Sequence, residues 1–216
     1  ECYSAKSGER LRTLFEEKND RYVEPLHPLF FVPNHNDQFL YLSRRDGYTH
    51  IYHYRTDGTL ISQLTKGNYE AEDIIGFSAD GRNVYYYANR ESLIGRYAYG
   101  LDLSTGETTL LTPARGTHTI SLNHAGTMLI DRYSSTDTPL EISVLTSNGR
   151  LKRQLYSAPN PLADYAMPTI TTGTLHAADG TTNLYYRLIT PPNLDSTKRY
   201  PTLIYVYGGQ IGRAHV

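Results

Sequence analysis

The chain has 216 residues, which is long enough to bury the core of one or two domains. A hydrophobic fraction of 39% and a charged fraction of 20% exclude a disordered or collagen-like chain. Because 21 Lys and Arg are balanced by 22 Asp and Glu, the chain lacks the basic field that binds phosphates, and nucleic acid is not expected as a partner.

Tyrosine dominates the aromatic residues, with 20 copies against 5 phenylalanines and no tryptophan. A tyrosine ring packs well on a pleated sheet while its hydroxyl reaches water at the edge, so the composition favours a strand-rich fold. The single cysteine, Cys2, allows neither an internal disulfide nor a zinc site of four cysteines. No apolar run reaches the roughly 18 residues of a membrane span. No metal ion or cofactor is predicted.

The chain begins Glu1-Cys2-Tyr3-Ser4, without methionine, in what reads as the middle of a strand. We therefore expect further sequence before Glu1, so the lack of a signal segment is uninformative.

A repeat runs along the first 156 residues. Similar strand segments begin at Phe39, Val84 and Met128, 45 and 44 residues apart, and each follows a turn (Asn36-Asp37, Asp80-Gly81 and Ala125-Gly126). A second marker is a turn with glycine between the third and fourth strand of each unit, at Gly58, Gly106 and Gly149. Ser7-Gly8 resembles this turn. A period of about 40 to 50 residues is typical of β-propeller blades.

The middle unit then contains four strands, at residues 72–78, 83–90, 96–103 and 108–113, which is one blade. A β-sandwich of short strands is the alternative, but regular four-strand recurrence favours the propeller. Three blades cannot close a ring, so we expect the first and last to lack a neighbour within this chain.

After Tyr156 the repeat stops, and Pro159 and Pro161 mark a domain boundary. Further strands are predicted at residues 169–176, 184–190 and 202–207, the first two joined by an Asp179-Gly180 turn. Residues 203–207 form an almost continuous apolar run, which indicates a strand covered on both faces of a sheet.

Three stretches resemble the dipeptidyl peptidase IV family of the prolyl oligopeptidase clan of serine peptidases. Residues 45–52 (RDGYTHIY), followed by LTKG at 64–67, resemble a propeller phrase of that family. LITPP at 188–192, followed by KRYP at 198–201, resembles the passage into its peptidase domain. YVYGG at 205–209 resembles the strand end that carries the family's oxyanion-hole tyrosine.

The resemblance implies a mainly β chain: the C-terminal blades of a propeller, followed by the first strands of an α/β-hydrolase domain. The corresponding limits are 1–165 for the end of one blade plus three blades, and 166–210 for the start of the peptidase domain. Family members remove dipeptides with penultimate proline or alanine, or in some cases tripeptides, from free N-termini. The resemblance also implies a secreted or periplasmic parent protein, and a homodimer.

For the site, the resemblance implies that Tyr207 donates to the oxyanion of the tetrahedral intermediate. Without the motif, a core tyrosine would be the simpler interpretation. No G-x-S-x-G elbow occurs, since residues 76–80 (GFSAD) fit a blade strand and its turn. We therefore expect the catalytic serine, aspartate and histidine to lie beyond Gly209, and this chain alone to be inactive. Substrate specificity cannot be read from it.

Two rival functions remain open. The parent protein could be a prolyl oligopeptidase or an acylaminoacyl-type peptidase whose propeller gates access. Alternatively, the parent protein is a non-enzymatic propeller that acts as a binding module. Such a protein would not need residues 201–209, which resemble part of a peptidase domain. After Gln210, residues 211–216 (IGRAHV) match the translation of a common sequencing adapter, and we interpret them as a foreign tail.

Other polar residues are expected to be structural. His50 and His53 are three apart in a strand, so they point to opposite faces and cannot share a metal ion. His27, His118, His124 and His176 lack ligand spacing. Glu16, Glu17 and Glu24 are interpreted as a solvated connection. Asp46, Asp57 and Asp80 are expected to cap turns.

Overall fold

Short antiparallel strands joined by glycine turns make up the chain. The computed structural model describes residues 1–20, 23 and 27–206, and no α-helix occurs among them. The strands are β1 Cys2–Tyr3, β2 Arg10–Arg12, β3 Phe30–Phe31, β4 Gln38–Ser43, β5 His50–Arg55, β6 Leu60–Gln63, β7 Ala71–Phe77, β8 Asn83–Ala88, β9 Tyr97–Asp102, β10 Thr108–Leu110, β11 Thr117–Leu122, β12 Met128–Ser134, β13 Glu141–Thr146, β14 Leu151–Ser157, β15 Thr169–His176 and β16 Asn183–Thr190.

Twelve of these strands form three consecutive four-stranded sheets, each paired in chain order. Sheet 1 is β3 to β6, sheet 2 is β7 to β10 and sheet 3 is β11 to β14, while β1–β2 and β15–β16 are separate hairpins. The predicted recurrence of four strands is therefore confirmed, and no helix interrupts residues 39–156.

The hairpin turns lie where the glycines predict them. Gly58, Gly106 and Gly149 have φ angles of 98°, 74° and 81°. This left-handed region is costly for residues with a Cβ atom, which explains why glycine recurs at the same place in each sheet.

The sheets pack face to face because side chains alternate along each strand. On β8, Val84, Tyr86 and Ala88 join the apolar cluster shared with sheet 1. Tyr85 and Tyr87, from the opposite face of the same strand, join the cluster shared with sheet 3. Sheet 2 is therefore buried on both faces, as expected for a blade with a neighbour on each side.

The other face of sheet 1 carries an aromatic cluster. Its buried members are Phe39, Tyr41, Tyr52 and Tyr54, and Leu14 and Phe15 from the segment after β2 pack against them. This face is where the half-buried polar residues described below lie.

The chain divides into two compact units, residues 1–160 and 161–216. In the second unit, β15 and β16 form a hairpin with Gly180 in its turn. Both strands were predicted. The third predicted strand, 202–207, is not a strand over 202–206, and Leu203 to Val206 are 78–92% exposed. A strand requires a paired neighbour, and none lies beside 202–206 among the described residues. The domain limits at 165 and 210 remain predictions.

Candidate functional site

The residue predicted for the oxyanion hole, Tyr207, lies outside the described residues, as do Gly208, Gly209 and the tail at 211–216. Its role therefore remains a prediction. Glu24, one of the three glutamates interpreted as a solvated connection, also lies outside the described part of the chain.

The serine of the GFSAD segment caps a turn. Ser78 follows the last residue of β7, and its hydroxyl donates to Asp80 Oδ1 at 2.5 Å and accepts from the Asn83 amide at 2.9 Å. Asp80 also accepts from the Arg82 amide at 3.0 Å. These bonds hold the β7–β8 turn, as the sequence predicted.

His50 and His53 use separate partners on opposite faces of β5. The two nitrogens of buried His50 lie 3.1 Å from Thr65 Oγ1 and 2.9 Å from the Gly67 carbonyl oxygen. His53 Nε2 lies 2.8 Å from Gln38 Oε1, and burial lowers the pKa of His53. Each histidine therefore has hydrogen-bond partners of its own, and the structural role of both stays a prediction. Across the described residues, no three His, Cys, Asp or Glu side chains come close enough to hold a metal ion.

A buried polar pair went unnoticed in the sequence. His118 on β11 is 2% exposed, and its Nδ1 lies 2.9 Å from Asp131 Oδ2 on β12. Its Nε2 lies 2.8 Å from the Ala114 carbonyl oxygen, in the link between sheets 2 and 3. The one available signal was the alternation of β11, which places His118 on the same buried face as Ile120. The pair fixes this link and is structural.

The most concentrated polar cluster surrounds Glu17 and Arg45. The Glu17 side chain is 15% exposed, and its Oε1 lies 3.3 Å from Arg45 Nε. The Ser43 hydroxyl donates to the same carboxylate, and the Tyr41 hydroxyl donates to Oε2 at 3.2 Å. The prediction of a solvated connection is therefore wrong for Glu17, because three donors of sheet 1 hold its carboxylate. Glu16, by contrast, is exposed and pairs with Lys18.

Arg45 is oriented by aromatic residues of sheet 1. Its Nη1 donates to the Tyr54 hydroxyl at 2.5 Å, and its Cζ lies 4.2 Å from the centroid of the Tyr52 ring. Burial opposes the charge of Arg45, but the bond to Tyr54 and the charge of Glu17 outweigh it and raise the pKa of the guanidinium.

Two phenols in this cluster, those of Tyr41 and Tyr52, keep their protons at neutral pH. Burial, together with the charge of Glu17, raises the pKa of Tyr41 to about 12. Burial and the charge of Asp46 raise the pKa of Tyr52 to about 12 as well. Tyr41 therefore remains a hydrogen-bond donor to Glu17.

The remaining turn aspartates differ in their partners. Asp57 accepts from the Thr59 amide at 2.8 Å, as predicted for a turn residue. Asp46 instead accepts from the Gln63 side chain at 2.6 Å, which ties the β4–β5 loop to β6. The sequence could not show this contact because β6 meets the loop only after sheet 1 has formed.

Comparison with known proteins identifies the family. The family model for the dipeptidyl peptidase IV N-terminal region matches residues 2–140, more than half of the chain. The chain belongs to the dipeptidyl peptidase IV family. The four-stranded sheets described above are the corresponding propeller region of that family.

Relatives in the dipeptidyl peptidase IV family match beyond this region. Dipeptidyl peptidase 4 of Arthroderma otae is 25% identical over 224 residues, covering 95% of the chain. The crystal structure of a Bacteroides ovatus protein assigned as a dipeptidyl aminopeptidase IV has a TM-score of 0.87, with 36% identity over 96% of the chain. Porphyromonas gingivalis dipeptidyl peptidase 4 has a TM-score of 0.74, with 28% identity over 85% of the chain.

The chain spans only part of these proteins. It covers 28% of the Arthroderma relative, 32% of the Bacteroides chain and 26% of the Porphyromonas chain. In the described part of the chain, no helix is long and apolar enough to cross a membrane.

Proposed function

We propose that the chain belongs to a serine exopeptidase that removes N-terminal dipeptides with penultimate proline or alanine. The family match over residues 2–140 carries this proposal, supported by relatives whose names are dipeptidyl peptidases. The substrates would be the free N-termini of peptides or proteins.

The second unit is proposed to begin the α/β-hydrolase domain, with Tyr207 as an oxyanion-hole donor. A phenol supplies one hydrogen bond to the negative oxygen that forms when a serine attacks the scissile carbonyl. The attacking serine and its histidine and aspartate would follow Gly209. The 216 residues alone would then lack the nucleophile and base of acyl transfer.

The test compares the 216-residue chain with the product of the complete gene on an Xaa-Pro reporter. We expect the complete enzyme to hydrolyse the reporter and to lose activity with a serine-directed inhibitor, and the 216-residue chain to be inactive. Inhibitor-sensitive turnover by the 216-residue chain would show that its catalytic residues lie elsewhere.

The alternative peptidases are separated by blocking the substrate's amine. An exopeptidase that recognises a free N-terminus should not cleave an N-acetylated reporter. Cleavage of the acetylated reporter would favour a prolyl oligopeptidase or acylaminoacyl-type enzyme, and inactivity of the complete protein on both would favour a binding propeller.

Location and assembly also belong to this proposal. The resemblance suggests a secreted or periplasmic enzyme that forms a homodimer. Fractionation of the source cells and the mass of the purified complete protein in solution would test both points.

A further inference from the structure

The last turn of sheet 3 contains a reactive pair of residues. Asn148 and Gly149 lie between β13 and β14, and they form the one Asn-Gly pair in the sequence. The equivalent turns of sheets 1 and 2 have Asp57 and Thr105 before their glycines. Because glycine has no Cβ atom to crowd its amide nitrogen, that nitrogen can react with the side chain of a preceding asparagine.

The reaction is an intramolecular deamidation. The Gly149 amide nitrogen attacks Cγ of Asn148, a C–N bond forms between them, and the bond from Cγ to the side-chain nitrogen breaks. That nitrogen leaves as ammonia, together with the proton that Gly149 gives up. The succinimide ring then takes up water and opens to aspartate, or to isoaspartate, in which the backbone runs through the side-chain carbon.

The four Asp-Gly pairs of the chain are poorer sites for the same ring closure. They lie at residues 46–47, 57–58, 80–81 and 179–180. A carboxylate carbon resists attack by a nitrogen because its two oxygens share a negative charge. Hydrogen bonds lower the pKa of Asp57, Asp80 and Asp179, which keeps these side chains ionised at neutral pH. The chemistry therefore favours Asn148.

In the folded protein, Thr146 holds both reacting groups. Its carbonyl oxygen accepts from the Gly149 amide at 2.9 Å, and its hydroxyl donates to Asn148 Oδ1 at 2.5 Å. The turn also lies close to sheet 2, since a Cβ atom added to Gly149 would be 2.8 Å from Leu111 Cα. The succinimide can therefore form only in molecules whose β13–β14 hairpin has opened locally.

We propose that Asn148 is a site of spontaneous deamidation and that Thr146 controls the rate by keeping the β13–β14 turn closed. This modification needs no enzyme, and the inference does not depend on the proposed peptidase function.

The product should weaken the contact between sheets 2 and 3. Asn148 lines a cavity of about 260 Å³ together with Asp102 on β9 and Glu107 in the turn after β9. Deamidation adds a third carboxylate to this cavity. Isoaspartate also adds one carbon to the backbone, directly before the glycine that packs against Leu111.

The test measures deamidation in the complete protein by peptide mass. Trypsin cleaves after lysine and arginine, so it releases residues 133–150 as one peptide, in which Asn148 is the one asparagine and glutamine does not occur. Exchange of the NH2 group for OH raises the mass of this peptide by one unit. We expect deamidation to be at least about 10-fold slower in the folded protein than in denaturant, because only the open fraction reacts.

Three variants test the role of Thr146 in the folded protein. Thr146→Val removes the hydroxyl with little change in shape, and deamidation should be about 5-fold faster, the factor for one hydrogen bond of about 1 kcal/mol. Thr146→Ser keeps a hydroxyl and should keep the wild-type rate. Thr138→Val makes the same change in the β12–β13 loop, within the same tryptic peptide, and should also keep the wild-type rate.

Asn148→Asp supplies the charge of the product without the extra backbone carbon. We expect its Tm to be lower than that of the wild type, by a difference that shrinks with added salt. An unchanged Tm would overturn the predicted weakening of the contact.

Two results would overturn the proposed site or its control. A peptide 133–150 that keeps its mass in denaturant would show that Asn148 is not a deamidation site. Equal rates in the folded and the denatured wild type, or a wild-type rate in folded Thr146→Val, would show that the turn does not control the reaction.

Discussion

The hydroxyl groups of two buried tyrosines, Tyr87 and Tyr41, hold elements that are far apart in the chain. Tyr87 is buried between sheets 2 and 3, where its hydroxyl accepts from the Ile120 amide at 2.5 Å and donates to the Ile120 carbonyl at 3.2 Å. Tyr41 places its hydroxyl on Glu17 in the same way. At position 87 a phenylalanine would fill the same space but would leave the buried amide and carbonyl groups of Ile120 without this partner.

Tyr207 is the residue for which the proposed function makes the sharpest prediction. In the complete enzyme, Tyr207→Phe keeps the ring and deletes one donor to the developing oxyanion. Because that bond strengthens in the transition state, we expect kcat to fall by about 10² to 10³ with KM little changed.

The measurement is kcat and Tm of Tyr207→Phe beside the wild type. A core tyrosine would behave differently: loss of its hydroxyl would lower stability by about 1 kcal/mol and leave kcat alone. Full activity with reduced Tm would therefore remove Tyr207 from the site.

Glu72 should make stability depend on pH. Burial raises the pKa of Glu72 above its ordinary 4.5, although Arg96, whose Nε is 3.3 Å away, partly offsets this. Between the ordinary and the raised value the folded state binds more protons than the unfolded state, so stability falls as pH rises through that window. Glu72→Gln cannot ionise and should be at least as stable as the wild type at about pH 7, with the difference disappearing below about pH 4.

Asp57→Asn is a control for which the expected pH dependence of stability has the opposite sign. Hydrogen bonds from Thr59 lower the pKa of Asp57, so its contribution to stability is present above its ordinary value of 3.8 and is lost as pH falls. This variant should be less stable than the wild type at neutral pH and match it in acid. A Glu72→Gln protein that is less stable than the wild type at neutral pH would mean that the pairing with Arg96 outweighs burial.

At the scale of the elements, the turns of neighbouring sheets lie against each other. A Cβ atom added to Gly81, in the β7–β8 turn, would lie 2.2 Å from the Pro33 carbonyl oxygen in the turn of sheet 1. One added to Gly126, in the β11–β12 turn, would lie 2.6 Å from the Ala79 amide in the turn of sheet 2. Glycine therefore serves both the backbone angle and the close approach of the sheets.

Gly81→Ala and Gly106→Ala separate these two roles. Their φ angles are almost equal, 72° and 74°, but a Cβ atom at Gly106 would meet nothing within 4 Å. Both variants should lose about 1 to 2 kcal/mol of unfolding free energy for the left-handed conformation. Gly81→Ala should lose clearly more, because a backbone carbonyl cannot move as a side chain can. If denaturant unfolding shows that both variants lose the same free energy, the turns of sheets 1 and 2 can move apart without a further cost.

At the scale of the whole molecule, two of the three apolar clusters are each shared by two neighbouring sheets. Leu40 and Tyr86 share one cluster across sheets 1 and 2, and Tyr85 and Leu129 share another across sheets 2 and 3. Because sheet 2 shares an apolar cluster with each of its neighbours, we expect residues 1–160 to unfold in one cooperative transition.

Leu129→Ala tests this sharing, with Ile130→Ala as its control. Leu129 is fully buried between sheets, whereas its neighbour Ile130 is 43% exposed. We expect Leu129→Ala to cost about 2 to 5 kcal/mol and to lower the midpoint for probes in all three sheets together. Ile130→Ala should change stability much less. Separate transitions for sheets 1 and 3 would contradict a shared core.

Several features of this protein followed from the sequence alone, because their causes are local. Glycine at positions 58, 106 and 149 favours a turn whatever the tertiary contacts are. The alternation of side chains along β8 determines which of its tyrosines share a face. The resemblance of its motifs was enough to identify the family. Ser78 could be assigned to a turn because its partners lie within five residues.

The tertiary structure decided whatever depends on groups far apart in the chain. Glu17 and Arg45 are 28 positions apart and meet only because the segment after β2 packs on the face of sheet 1. His118 and Asp131 meet because two strands pair in one register. Residues 202–206 have the apolar pattern of a strand but no strand beside them, since backbone hydrogen bonding requires a partner that the pattern cannot supply.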